Sequence, residues 1–120
     1  MKIINAKVYT EEGLFEERDV CTDGDRIAEQ STDGEIIDGA GCYLIPGLTD
    51  IHFHGCVGRD FCDGNHESIE AMAVYEASQG ITTMVPATMT LGRDTLEGIC
   101  RAAATYPNEK GAILCGINME

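Results

Sequence analysis

Apolar and polar positions change their rhythm once along this chain, near Pro46. Before it, short β-type runs such as "IINAKVYT" are broken by turn signals, and Asp23-Gly24 and Asp33-Gly34 are strong hairpin candidates. A tight hairpin turn needs positive φ at its central positions, which Gly, Asn and Asp tolerate best. Residues 1–45 are therefore expected to form a small antiparallel β unit, thin if it stands alone because a few short strands bury little surface.

After Pro46 the rhythm becomes strand, helix, strand, helix, strand. Leu48–His54 reads as the first strand, "ITTMVPAT" as the second and "AILCGINM" as the third. All three are apolar on both faces, as in a parallel sheet covered by helices. "NHESIEAMAVYEASQG" reads as a helix that Asn65 can cap and Gly80 can end. Asp94 and Glu97 have capping-box spacing, and Leu96, Ile99, Cys100, Ala103 and Ala104 then make one apolar stripe. Each strand–helix step takes roughly 30 residues, the usual βαβ size. The turn at Pro46-Gly47 is the best boundary, dividing residues 1–45 from 46–120.

The chain is long enough for a modest domain with a real core, and 43% of it is hydrophobic, so it is expected to fold. Its net charge of −13 argues against nucleic acid or an anionic membrane as a partner. No stretch is apolar enough to span a bilayer, and "MKIINAKVYT" lacks the marks of a signal peptide, so the cytoplasm is the expected location. Six cysteines are an even number. However, no signal points to an oxidising compartment, and Cys100 and Cys115 read as small buried hydrophobes.

The chemistry gathers at strand ends. His52 and His54, two of only three histidines, stand two residues apart on the first strand, so they project from one face with Asp50 one step deeper. Two such imidazoles can converge on one metal ion, and Gly55 permits a sharp turn beyond them. For a lone histidine ordinary hydrogen bonding would be the better reading. At the C-terminal end of a parallel strand, where α/β folds keep their chemistry, the pair favours a metal. A structural zinc held by His52, His54, Cys56 and Cys62 is the weaker alternative, because its spacing matches no common finger. Glu120 ends the third strand at an equivalent level, either as a solvated carboxylate or as a ligand to the same pocket. Thr88 and Thr90 could line that pocket or simply form a turn, and His66 is expected to be solvated.

These residues resemble a family. "LIPGLTDIHFHG" is similar to the first barrel strand of the amidohydrolase superfamily. "HGCVGRDFCDG", "GITTMVPATMT" and "GINME" resemble, in order and spacing, the N-acetylglucosamine-6-phosphate deacetylases. The resemblance covers the whole chain. It implies an α/β fold, with residues 1–45 as part of a small β-sandwich and residues 46–120 as the first βαβαβ portion of a (β/α)₈ barrel. It implies a divalent metal, zinc first, with iron, manganese or cobalt as alternatives. Glu120 matches the family's strand-three ligand, and His52 and His54 resemble members able to hold two metals.

The implied reaction is hydrolysis of the acetamide of N-acetylglucosamine 6-phosphate to glucosamine 6-phosphate and acetate, with an Asp after the last barrel strand as general base. The implied partner is a small amino-sugar phosphate, and the complete enzyme is implied to be a homodimer. This chain ends before that Asp, so no catalytic residue is assigned within it, and only Arg59 is a nearby candidate to grip phosphate. It is read as an N-terminal fragment, expected to be inactive by itself. Two alternatives remain at this point. One is another amidohydrolase, such as a dihydroorotase or hydantoinase, though these use a carboxylated Lys on strand four where this chain offers Glu120. The other is a non-catalytic acidic α/β module that binds a metal or a partner.

Overall fold

A computed structural model describes residues 1–32 and 34–120. The described residues form a mixed α/β fold with two α-helices, in two compact units, Met1–Pro46 and Gly47–Glu120. No helix among them is long and apolar enough to cross a membrane.

In the first unit, β1 (Lys2–Tyr9) pairs antiparallel with β2 (Phe15–Asp23), which pairs antiparallel with β3 (Arg26–Ala28). Asp23 pairs with Arg26, so Gly24, at φ 58°, and Asp25 form the hairpin turn. The second expected hairpin, Asp33-Gly34, includes a position outside the described residues. The unit is not purely antiparallel as the sequence suggests. β4 (Ile36–Asp38) and β5 (Tyr43–Leu44) both pair with β1 in parallel. The chain re-enters at the start of β1, where Lys2 N–H donates to Glu35 C=O, and two short strands therefore share its free edge.

The second unit is a parallel sheet in the order β10-β9-β6. β6 (Leu48–Asp50) leads through α1 (His66–Ser78) to β9 (Ile81–Met84), and α2 (Arg93–Ala104) leads on to β10 (Ile113–Leu114). Asn65 caps α1 by accepting from Ser68 N–H at 2.9 Å. Ile69, Met72 and Ala73 on α1 pack with Met84, Leu114 and Ile99 of α2 into one apolar core. α2 departs from expectation at its start. It begins after Gly92 with no side-chain cap, Asp94 lies inside the first turn, and Glu97 instead pairs with Arg93 at 2.7 Å. A carboxylate in that turn still suits the helix dipole.

All three strands are shorter than the apolar runs that predict them. Asp50 Oδ1 takes the His52 N–H at 2.9 Å, which diverts that donor from the ladder. Pro86 has no donor to give. Pairing continues irregularly, through Val85 N–H to Asp50 C=O and Ala87 N–H to Phe53 C=O. A small hairpin unseen in the sequence follows: β7 (Gly55–Cys56) and β8 (Arg59–Asp60), turning at Val57 and Gly58, both at positive φ. A Cβ on Gly55 would lie 2.2 Å from the Arg59 carbonyl oxygen, so only glycine lets the chain fold back directly after His54.

Candidate metal centre

Three strand ends meet in the second unit. His52 and His54 lie on the extended segment after β6, Thr88 follows β9, and Glu120 follows β10. One ligand atom from each of His52, His54 and Glu120 lies within 4.8 Å of the other two. His54 Nε2 is 3.1 Å from Glu120 Oε2, and His52 Nε2 is 4.0 Å from it. The two imidazole rings meet edge to face, centroids 5.2 Å apart. Two imidazoles and a carboxylate form a recognised zinc set with an open position. Donors sharing one ion stand roughly 3–4 Å apart, so this trio fits a divalent cation with a small closing movement. The buried Nδ1 of His54 has no hydrogen-bond partner among the described residues.

The residues behind the trio explain its geometry. Asn118 pairs in parallel with Ala87: its N–H donates to Pro86 C=O at 2.9 Å, and its C=O accepts from Thr88 N–H at 3.0 Å. Thr88 is fully buried, and its Oγ1 accepts the Glu120 N–H at 3.4 Å. Thr88 therefore holds the carboxylate's backbone, while Thr90 is exposed. Asp50 is a backbone anchor for His52 and stands outside the trio.

Other expected roles fall differently. Arg59 is engaged by Glu67 at 2.6 Å. His66 is exposed yet not merely solvated: Nε2 lies 3.1 Å from Ala102 C=O and 3.0 Å from Thr105 Oγ1, tying the start of α1 to the end of α2. All six cysteines are free, and Cys115 is exposed because it lies on the outward side of the β10 continuation. Cys62 Sγ accepts the Met89 N–H, and the Cys56 thiol faces Glu76, so neither joins the trio.

Sequence reasoning missed Glu76. It continues the buried α1 face of Ile69, Met72 and Ala73, yet it is a carboxylate. Burial pushes its pKa up, and the neighbouring Asp50 charge adds to this. Burial likewise raises the Cys56 thiol, reinforced by Glu76. The i, i+3, i+4, i+7 spacing from Ile69 to Glu76 was the available signal.

Known proteins resemble this chain in sequence and in fold. No protein-family model matches the chain. An N-acetylglucosamine-6-phosphate deacetylase of Lysinibacillus sphaericus is 26% identical over 125 aligned residues, spanning 98% of this chain and 32% of that protein. The solved N-acetylglucosamine-6-phosphate deacetylase of Pasteurella multocida superposes with a TM-score of 0.86 at 22% identity, over 98% of this chain and 33% of that one. The chain is homologous to N-acetylglucosamine-6-phosphate deacetylases over nearly its whole length. It spans about a third of the length of the deacetylases it matches so fully. A dihydroorotase of Syntrophotalea carbinolica is 39% identical over 77 residues, 60% of this chain and 17% of that protein.

Proposed function

We propose that the chain is the N-terminal part of a metal-dependent deacetylase that hydrolyses the acetamide of N-acetylglucosamine 6-phosphate. The observation that carries this reading is the convergence of His52, His54 and Glu120 at the ends of parallel strands, in a chain homologous to deacetylases throughout. In this reading residues 46–120 open a (β/α)₈ barrel, residues 1–45 belong to a small β-sandwich, and the complete enzyme is a cytoplasmic homodimer. His52, His54 and Glu120 hold a divalent ion, zinc first. Such an ion supplies Lewis acidity to the amide carbonyl and lowers the pKa of a bound water toward ~7.

The chain's own residues do the holding. Glu120 contributes the negative charge, and Thr88 and the Asn118 backbone fix the strand end that carries it. A general base and a grip on the sugar phosphate are still required. Arg59 pairs with Glu67 at the surface, and in this reading the base and the phosphate grip come from other parts of the complete enzyme. The 120 residues alone are therefore inactive in this reading.

The test uses the complete protein, loaded with zinc and offered N-acetylglucosamine 6-phosphate. Acetate release is expected, with a loss of roughly 100-fold or more in Glu120→Gln as the metal's charge balance is removed. His52→Ala/His54→Ala should lower bound metal. Unchanged metal content and turnover in these variants would refute the site. The identity to a dihydroorotase favours one second reading, ring opening of dihydroorotate. Turnover of dihydroorotate without acetate release would establish it instead.

A further inference from the structure

His52 and His54 look equivalent in sequence, but their surroundings differ. Asn118 Nδ2 lies 3.1 Å from Ile51 C=O and 3.0 Å from His52 Nδ1. A carbonyl oxygen only accepts, so the amide nitrogen, and not the amide oxygen, must face it. The second N–H of the same group then meets His52 Nδ1, which must accept. A neutral imidazole carries one donor and one acceptor. The proton of His52 therefore sits on Nε2, the nitrogen that faces Glu120.

We propose that Asn118 is a positioning residue that sets which nitrogen of His52 carries the proton, and so makes His52 the conditional member of the metal trio. A metal needs the lone pair of Nε2. To supply it, the proton must move to Nδ1, where it points directly at the Asn118 amide. The hydrogen bond between them is then lost. Asn118 cannot retreat by sliding, because Pro86 and Thr88 hold its backbone on both sides. His54 has no such restraint. Its Nδ1 has no partner, so a proton placed there opposes no donor. His54 and Glu120, already 3.1 Å apart, form the primary pair, and His52 joins when Asn118 yields.

The inference deepens the metal reading, yet its first test needs no metal. Long-range ¹H–¹⁵N correlation on histidine-labelled, metal-free complete protein reports the His52 tautomer directly. Wild type should show the proton on Nε2. In Asn118→Asp an isosteric carboxylate accepts from the ring, so the proton should move to Nδ1. Asn118→Leu should show both tautomers. A zinc titration follows. Outer-sphere partners of a metal-bound histidine change affinity roughly 10- to 100-fold, so Asn118→Asp should bind zinc about tenfold more tightly than wild type, and Asn118→Leu should not. A purely structural Asn118 would instead weaken zinc binding in both variants alike. A wild-type spectrum with the His52 proton on Nδ1 overturns the inference, whether or not the variants fold. So does one tautomer common to all three proteins. If the tautomers switch as expected and no variant binds zinc, Asn118 still sets the His52 tautomer, but the metal reading falls and the conditional role of His52 falls with it.

Discussion

Residues 1–46 and 47–120 each form one compact unit around a sheet, but they cover their sheets differently. In the second unit two helices pack on the strands, and Met72, Ala73 and Met84 lose all contact with solvent. In the first, Ala6, Thr10 and Gly39 are the buried positions among the described residues, while Ile27 remains 84% exposed and Ile36 63%. A sheet buries an apolar face only against another layer. The described residues of the first unit form strands and turns, with no helix among them to provide one. The second unit also holds the candidate site, because its helices leave the strand ends open at one rim while fixing the strands beneath.

This contrast can be broken experimentally, and the largest effect should come from the core. Met72→Ala removes a fully buried side chain between α1 and the sheet. It should cost about 2–5 kcal/mol in the complete protein, read from the urea midpoint. A loss below about 1 kcal/mol would mean that the second unit is no better packed than the first.

A smaller effect, of opposite sign, is expected at the carboxylate buried in that same face. Glu76 has its folded pKa raised above the ordinary 4.5, by burial first and then by Asp50. The unfolded chain therefore releases this proton at lower pH than the folded one. Stability from this group is fully present below about 4.5 and declines as pH rises toward the folded value. Glu76→Gln keeps the shape and cannot ionise. It should be more stable than wild type at pH 7, with the difference shrinking as pH falls toward 4.5. A stability gain that does not depend on pH would show that Glu76 carries no burial penalty.

The smallest effect belongs to the first unit. Ile27→Ala removes a large apolar side chain that is 84% exposed. The urea midpoint should move by no more than about 0.5 kcal/mol equivalent. A cost comparable to that of Met72→Ala would show that Ile27 is covered in the complete protein, and that the poverty of the first unit's core reflects missing cover rather than its own sequence.

Local features could be read directly from the order of residues. Asn65 caps α1, Gly24 turns the β2–β3 hairpin, and the apolar stripe of residues 93–104 makes a helix between strands. Such features depend on a residue and its near neighbours along the chain. Parallel order in the second unit was legible as well, since parallel neighbours need a crossover and each successive pair of its sheet strands is joined through a helix. The remaining features arose from contacts between segments far apart along the chain. β4 and β5 join β1 in parallel because a distant edge was free. Glu76 is buried because the core face of α1 runs one position further than its apolar residues. Asn118, 66 residues from His52, lies beside it because β10 pairs with β9, and β9 pairs with β6 across an irregularity at Leu48 and Thr49. Sequence spacing could bring the two histidines to one strand end. Which of them meets a donor at Nδ1, and which does not, depends on contacts from another strand, and no periodicity along one segment can encode such contacts.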